Sequence, residues 1–67
     1  MISVLVNAEE RRIKEGTTLE RLLTDLGKAH SGIAVAMDGE VVSRADWPSK
    51  ELGQGARVEI LTAVQGG

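Results

Sequence analysis

The sequence predicts an α+β fold: a mixed sheet of four to five strands with one main helix packed on one face. Three observations lead there. Residues 2–7, ISVLVN, alternate Ile2, Val4 and Val6 with Ser3, Leu5 and Asn7, the period of a strand buried mainly on one side. Leu19, Leu22, Leu23 and Leu26 fall at i, i+3, i+4 and i+7, which gathers four leucines on one face of a helix. Asp38-Gly39 separates the short runs IAVAM and EVVS, a strong two-residue hairpin signal because both turn positions need positive φ. With a single helix, the leucines and the inward strand residues have to bury one another. The helix therefore covers one sheet face and leaves the other open.

Taken in order, the polar stretch 7–10 turns the chain after the first strand, and a second, shorter strand at 11–14 points Ile13 inward to complete a hairpin. Gly16-Thr17-Thr18 opens the helix. Thr17 is placed to accept from first-turn amides, and Glu20, three residues on, to reach back as a capping box. Glu20, Arg21 and Asp25 turn to water, and Gly27 ends the helix. The loop KAHSG leads into the Asp38-Gly39 hairpin. Trp47-Pro48 begins an irregular stretch, and Gly53-Gln54-Gly55 turns into a last strand at 57–63. The glycines at 53 and 55 are not a phosphate cradle, since no third glycine follows and the segment opens a strand. Two strands, a helix and two or three further strands describe a roll of the β-grasp type. No linker or repeat divides the chain, so residues 1–63 are expected to form one domain, with 64–67 a flexible tail.

Composition narrows the function. Sixty-seven residues make one domain, close to the size at which a single core can only just hold a fold. Hydrophobic residues at 42% and charged residues at 27% match a globular chain. The longest apolar run, 33–37, is far too short to span a bilayer, and the start has no basic n-region, so a cytoplasmic location is expected. A net charge of -2 and a lone aromatic, Trp47, argue against nucleic acid, which takes a basic stripe and stacking rings. There are no cysteines, hence no disulfide, thiolate nucleophile or thiolate metal site. The single histidine, His30, builds no metal or catalytic constellation by itself and reads as a solvated loop residue.

Two features remain. In the last strand Val58 and Ile60 share one face, which leaves Arg57, Glu59 and Leu61 on the other, and Leu5 is likewise opposite to Val4 and Val6. Leu5 and Leu61 are thus expected either as a docking patch or as scattered surface leucines, with Val42 a further candidate for the patch. The second feature is the ending TAVQGG. At an average glycine usage of about 7%, a terminal Gly-Gly arises by chance in roughly one chain in 200, so a frayed end is one reading. The other is a reactive tail. Four residues from Val64 onward extend about 13–14 Å, enough to enter a neighbouring enzyme's cleft. Glycines pass a narrow channel and leave a terminal carboxylate sterically open. A carboxylate is inert to nucleophiles until activated. Adenylation by ATP would supply a leaving group, and a sulfur nucleophile would then give a thiocarboxylate, an amine an isopeptide bond. In a chain without cysteine, cargo sulfur would have to sit on that terminus.

These residues resemble the ThiS family of sulfur carriers, within the ubiquitin-like β-grasp superfamily. The likeness runs over the whole chain, from VLVNAE and the helix entry GTTL through AVAMDGEVVSRADW to GARVEILTAVQGG. Arg44 and Trp47 after the hairpin, with the terminal Gly-Gly, favour this family over its relatives. Asp38 stands where the family usually has Asn, and Ser43 where it commonly has Pro; both suit a turn or edge strand. The resemblance implies a protein co-substrate rather than an enzyme. A ThiF-like adenylyltransferase would adenylate the Gly67 carboxylate with ATP and Mg, a cysteine desulfurase system would deliver sulfur, and thiazole synthase, ThiG, would receive it in thiamin biosynthesis. Gly66 would give access, Leu5, Leu61 and Val64 would contact partners, and the chain itself would bind no cofactor or metal. Arg44 and Trp47 are expected to be structural. The competing expectations are the sulfur carrier of molybdenum cofactor synthesis, a ubiquitin-like modifier of lysines, and a β-grasp binding module.

Overall fold

The computed structural model describes residues 1–29 and 31–62. The elements follow in the order β1 (Ile2–Val6), β2 (Glu9–Ile13), α1 (Leu19–Asp25), β3 (Ile33–Met37), β4 (Glu40–Val42), a 3-10 helix (Arg44–Ser49) and β5 (Arg57–Thr62). One five-stranded sheet has the order β2-β1-β5-β3-β4. β5 is parallel to β1 and antiparallel to β3, and both hairpins are antiparallel, so the sheet is mixed as expected.

Both hairpins close through two-residue turns in which both residues have positive φ. Asp38 (φ 51) and Gly39 (φ 87) join β3 to β4 between the pair Met37 and Glu40. Asn7 (φ 50) and Ala8 (φ 69) do the same for β1 and β2, between Val6 and Glu9. The first turn is tighter than the four-residue stretch expected, and β2 starts at Glu9 rather than at 11. The sequence disguises it, because Ala8 occupies a left-handed position that favours glycine. β2 is also nearly all charged, EERRI. It is an edge strand, where charge discourages pairing with other chains.

The helix begins one residue later than the capping-box expectation. Thr18, not Thr17, is the N-cap: its backbone is extended and its hydroxyl accepts from the Arg21 N–H at 3.2 Å. Thr17 still belongs to the preceding turn, its hydroxyl donating to Lys14 O at 2.6 Å and its N–H to the same oxygen at 3.2 Å. Glu20 therefore falls at the second helical position, out of register for a capping box. At the other end Gly27 (φ 72) does terminate the helix. Its N–H donates to Thr24 O at 3.0 Å while the Lys28 N–H donates to Leu23 O at 2.8 Å, the paired bonds of a Schellman motif.

The core lies between the sheet and α1. Ile2, Val4 and Val6 of β1, Val35 of β3, and Val58 and Ile60 of β5 meet Leu19, Leu22 and Leu23, with Leu26 partly buried at the margin. The stretch from Trp47 proves to be a 3-10 helix that starts three residues earlier. Trp47 is only 2% exposed, and its indole N–H donates to Val42 O at 3.1 Å. Arg44 lies over the ring at 4.4 Å from the centroid and donates to Ala29 O at 3.2 Å, tying the 3-10 helix to the loop after α1. Arg44 and Trp47 thus have the structural role expected of them. The segment after it pairs with the helix entry: Leu19 N–H donates to Lys50 O at 2.7 Å and Leu52 N–H to Thr17 O at 2.9 Å. No polar side chain among the described residues is buried.

Ala8 gives a direct test of the first turn. A non-glycine residue in the left-handed region costs about 1 kcal/mol or more, so Ala8→Gly should raise stability by about 0.5–1 kcal/mol in urea unfolding. A loss of stability would contradict the turn geometry.

Candidate functional site

The helix and the 3-10 segment cover one sheet face, and among the described residues no element covers the other. Strand register assigns its residues. Glu10, Leu5 and Arg57 form one row across β2, β1 and β5, beside Arg12 and Ser3. Glu59, Ala36 and Val41 form another across β5, β3 and β4, and Leu61 stands opposite Ala34. The face therefore has a charged half around Arg57 and an apolar half at the end of β5 and on β3 and β4.

Leu5 and Leu61 share this face, as the strand phases predicted, but they do not adjoin. Leu5 is level with Arg57, so Leu61 lies four residues further along β5, roughly 13 Å away at about 3.3 Å per residue. Leu5 is half-buried, in a shallow groove of about 350 Å³ lined by Asn7, Ala8, Arg57 and Glu59. Leu61 is 62% exposed, and its apolar neighbours are the exposed Ala34 and, one row on, Val41 at 83%. Val42, the further candidate for the patch, is on the opposite face. It is 9% exposed and packs in the core, because its pairing with Val35 points it toward the helix. Val41, which periodicity did not single out, takes the outward place. Two consecutive valines carry no phase of their own, and only the Asp38-Gly39 turn length sets it.

β5 delivers the chain end from the middle of the sheet. At its start the Arg57 N–H donates to Asp38 Oδ1 at 2.9 Å and Asp38 N–H to Arg57 O at 2.8 Å. Further along, Ile60 N–H donates to Asn7 Oδ1 at 2.8 Å, and Asn7 Nδ2 donates to Ile60 O at 3.3 Å. Thr62, opposite Ile33, is the last described residue of the strand. Val64, Gly66 and Gly67, the expected tail residues, lie outside the described residues, as do Ala63 and His30. Among the described residues no cluster of His, Asp and Glu is placed to hold a metal ion, and no helix is long and apolar enough to cross a membrane.

Comparison with known proteins agrees with this architecture. The sequence profile of the ThiS family matches residues 4–67. The chain is 34% identical over 64 residues to the sulfur carrier protein ThiS of Thermus thermophilus, covering 96% of this chain and 98% of that one. It is 33% identical over 66 residues to a thiazole synthase of Magnetococcus marinus, matching 98% of this chain but only 20% of that much longer protein. Among solved structures, the crystal structure of the thiamine biosynthesis protein ThiS from Geobacter metallireducens superposes with a TM-score of 0.84 at 26% identity, covering 98% of this chain and all of that one. The solution structure of a thiamine biosynthesis protein from the same organism gives a TM-score of 0.77 at 26% identity, over 98% and 88% of the two chains. The mixed five-stranded sheet carrying one helix is thus the ubiquitin-like β-grasp fold, and with a family match that runs from β1 to the final glycine the chain belongs to the ThiS family.

Proposed function

We propose that this chain is a sulfur carrier for thiazole formation in thiamin biosynthesis, and that the carboxylate of Gly67 is the atom group that carries the sulfur. The observation that bears most weight is the family match, which extends through Gly66 and Gly67 rather than stopping at the folded domain. The chemistry is a two-step acyl substitution. The carboxylate oxygen attacks the α-phosphorus of ATP, held with Mg by a ThiF-like adenylyltransferase, and pyrophosphate leaves. A sulfide-equivalent nucleophile, supplied by a cysteine desulfurase system, then attacks the acyl carbon and displaces AMP. The product is a thiocarboxylate, a far better nucleophile than the carboxylate it replaces. The chain is consumed and regenerated as a co-substrate, and the catalytic groups belong to its partners. The absence of cysteine supports this assignment, since no side-chain thiol is available to hold the sulfur instead.

The acceptor is thiazole synthase. Support comes from the Magnetococcus marinus protein of that name, one fifth of which resembles this entire chain. Carrying donor and acceptor on one polypeptide replaces a bimolecular encounter by a high effective concentration, which is useful only when the two act on each other. Partner contact is assigned to the open face, with Leu61 nearest the reactive end and Leu5 at the far side, and to Val64 in the segment that follows. Five residues follow Thr62, and they reach at most about 16–18 Å when extended. A partner holding Leu61 therefore has its active site within that radius.

Two outcomes follow. Deleting Gly67 should leave thermal unfolding unchanged and abolish ATP-pyrophosphate exchange by the adenylyltransferase; exchange at the wild-type rate in the shortened chain would refute the assignment. Leu61→Glu should weaken binding to that enzyme roughly tenfold or more, the loss expected for an apolar contact replaced by a buried charge. Because Leu61 is exposed, its melting temperature should stay close to wild type. Unaltered affinity in a titration would remove the apolar half of the face from the docking surface.

A further inference from the structure

β5 runs past the end of its parallel neighbour. The Leu5 N–H donates to Ala56 O at 2.9 Å and the Asn7 N–H to Val58 O at 2.8 Å, and register with β1 is kept only at Leu5 and Val6. The main chain then turns away through Asn7 and Ala8 into β2, so it offers nothing to Ile60. The side chain of Asn7 takes its place. Its Oδ1 accepts from the Ile60 N–H at 2.8 Å and its Nδ2 donates to Ile60 O at 3.3 Å. A carboxamide presents the same donor and acceptor as a peptide group, so Asn7 adds one more rung to the parallel ladder where the backbone cannot. Asn suits this because it also tolerates the left-handed φ of 50 that the turn demands.

Asp38 provides an internal comparison. It holds the first position of the other turn with a φ of 51, and it too is joined to β5, but with its own N–H as donor and Oδ1 as acceptor. Its side chain only has to accept, and a carboxylate serves. At position 7 the side chain both accepts and donates, which a carboxylate does not do. The two turns thus hold β5 at opposite ends, Asp38 at Arg57 and Asn7 at Ile60.

We propose that Asn7 is a positioning residue for the end of β5: by keeping Ile60 in the sheet it holds Leu61 and Thr62, the described residues that precede the reactive end, in the place where the activating enzyme grips the strand. The inference rests on the sulfur-carrier reading. Without the Asn7 amide, β5 beyond Val58 would be held, among the described residues, along its β3 edge alone, through pairs ending at Ile33 and Thr62.

The test uses the full chain in three variants. Asn7→Gly accepts the turn's positive φ and removes only the amide. Asn7→Asp keeps the acceptor and loses the donor. Thr18→Ala removes the α1 cap, whose side-chain bond is to Arg21 and not to β5, and reports on lowered stability alone. Amide exchange at Ile60 and the kinetics of adenylation by the ThiF-like enzyme are measured where all variants are folded. Asn7→Gly should speed exchange at Ile60 at least tenfold relative to Thr18→Ala. It should also lower kcat/KM for adenylation by about tenfold to a hundredfold, the range expected when a docking element away from the chemistry shifts by about 1 Å. Asn7→Asp should fall between, and Thr18→Ala should match the wild type in kcat/KM. Wild-type protection of Ile60 in Asn7→Gly, or a kcat/KM equal to that of Thr18→Ala, would overturn the proposal. Absence of adenylation in the wild-type chain is a different result: it would overturn the sulfur-carrier reading and this inference with it.

Discussion

The structure depends on the last strand of the chain lying in the middle of the sheet. β5 fills the gap between the two hairpins, paired with β1 on one side and β3 on the other. Val58 and Ile60 then complete the layer that receives Leu19 and Leu23. This non-local closure joins residues more than fifty positions apart, as in the paired bonds between Asn7 and Ile60 and the bond that the Ser3 N–H donates to Gln54 Oε1. A chain of this size has few other ways to stabilise itself. It has no disulfide, and its core is a single layer between sheet and helix. The same constraint serves function: the strand that precedes the two glycines is held on both sides by the fold instead of leaving from an edge.

Two small devices make that docking specific. Each hairpin turn places an Asx residue in the left-handed region, and each spends that residue's side chain on β5. Turn chemistry and strand pairing are therefore coupled, since a change of turn type would withdraw a partner from the central strand. On the opposite side of the core, Trp47 plays the corresponding role for the covering layer. Its indole N–H satisfies Val42 O, and its ring supports Arg44, which reaches the loop after α1. Among the described residues no element covers the opposite face in this way, and it is the face to which partner contact is assigned above.

Much of this was legible in the sequence because it is local. The alternation of Ile2, Val4 and Val6, the leucine spacing, Asp38-Gly39 and Gly27 each declare one element and its phase, and their order leaves little choice but a helix on one face of a mixed sheet. What was not legible has physical reasons. Two adjacent threonines compete for the cap, and only the bond from the Thr17 hydroxyl to Lys14 O decides for Thr18. Ala8 conceals a two-residue turn by standing where glycine is usual. Val41 and Val42 are interchangeable until the hairpin register is known. The separation of Leu5 from Leu61 depends on the register between β1 and β5, and no local pattern encodes that. For the site itself, the apolar strand, the two glycines and the need to activate a terminal carboxylate were visible, whereas the choice of sulfur over an amine at Gly67 came from family resemblance.

The central claim is that sulfur resides on the C-terminal carboxylate of this chain. The most direct measurement is the intact mass of the protein after incubation with ATP, Mg, a ThiF-like adenylyltransferase and a sulfur source, followed by fragmentation to locate any change. The account predicts a mass increase equal to exchange of one oxygen for one sulfur, confined to the last residue. An unchanged mass, with an adenylyltransferase shown to be active on another carrier, or a modification mapping elsewhere in the chain, would contradict it.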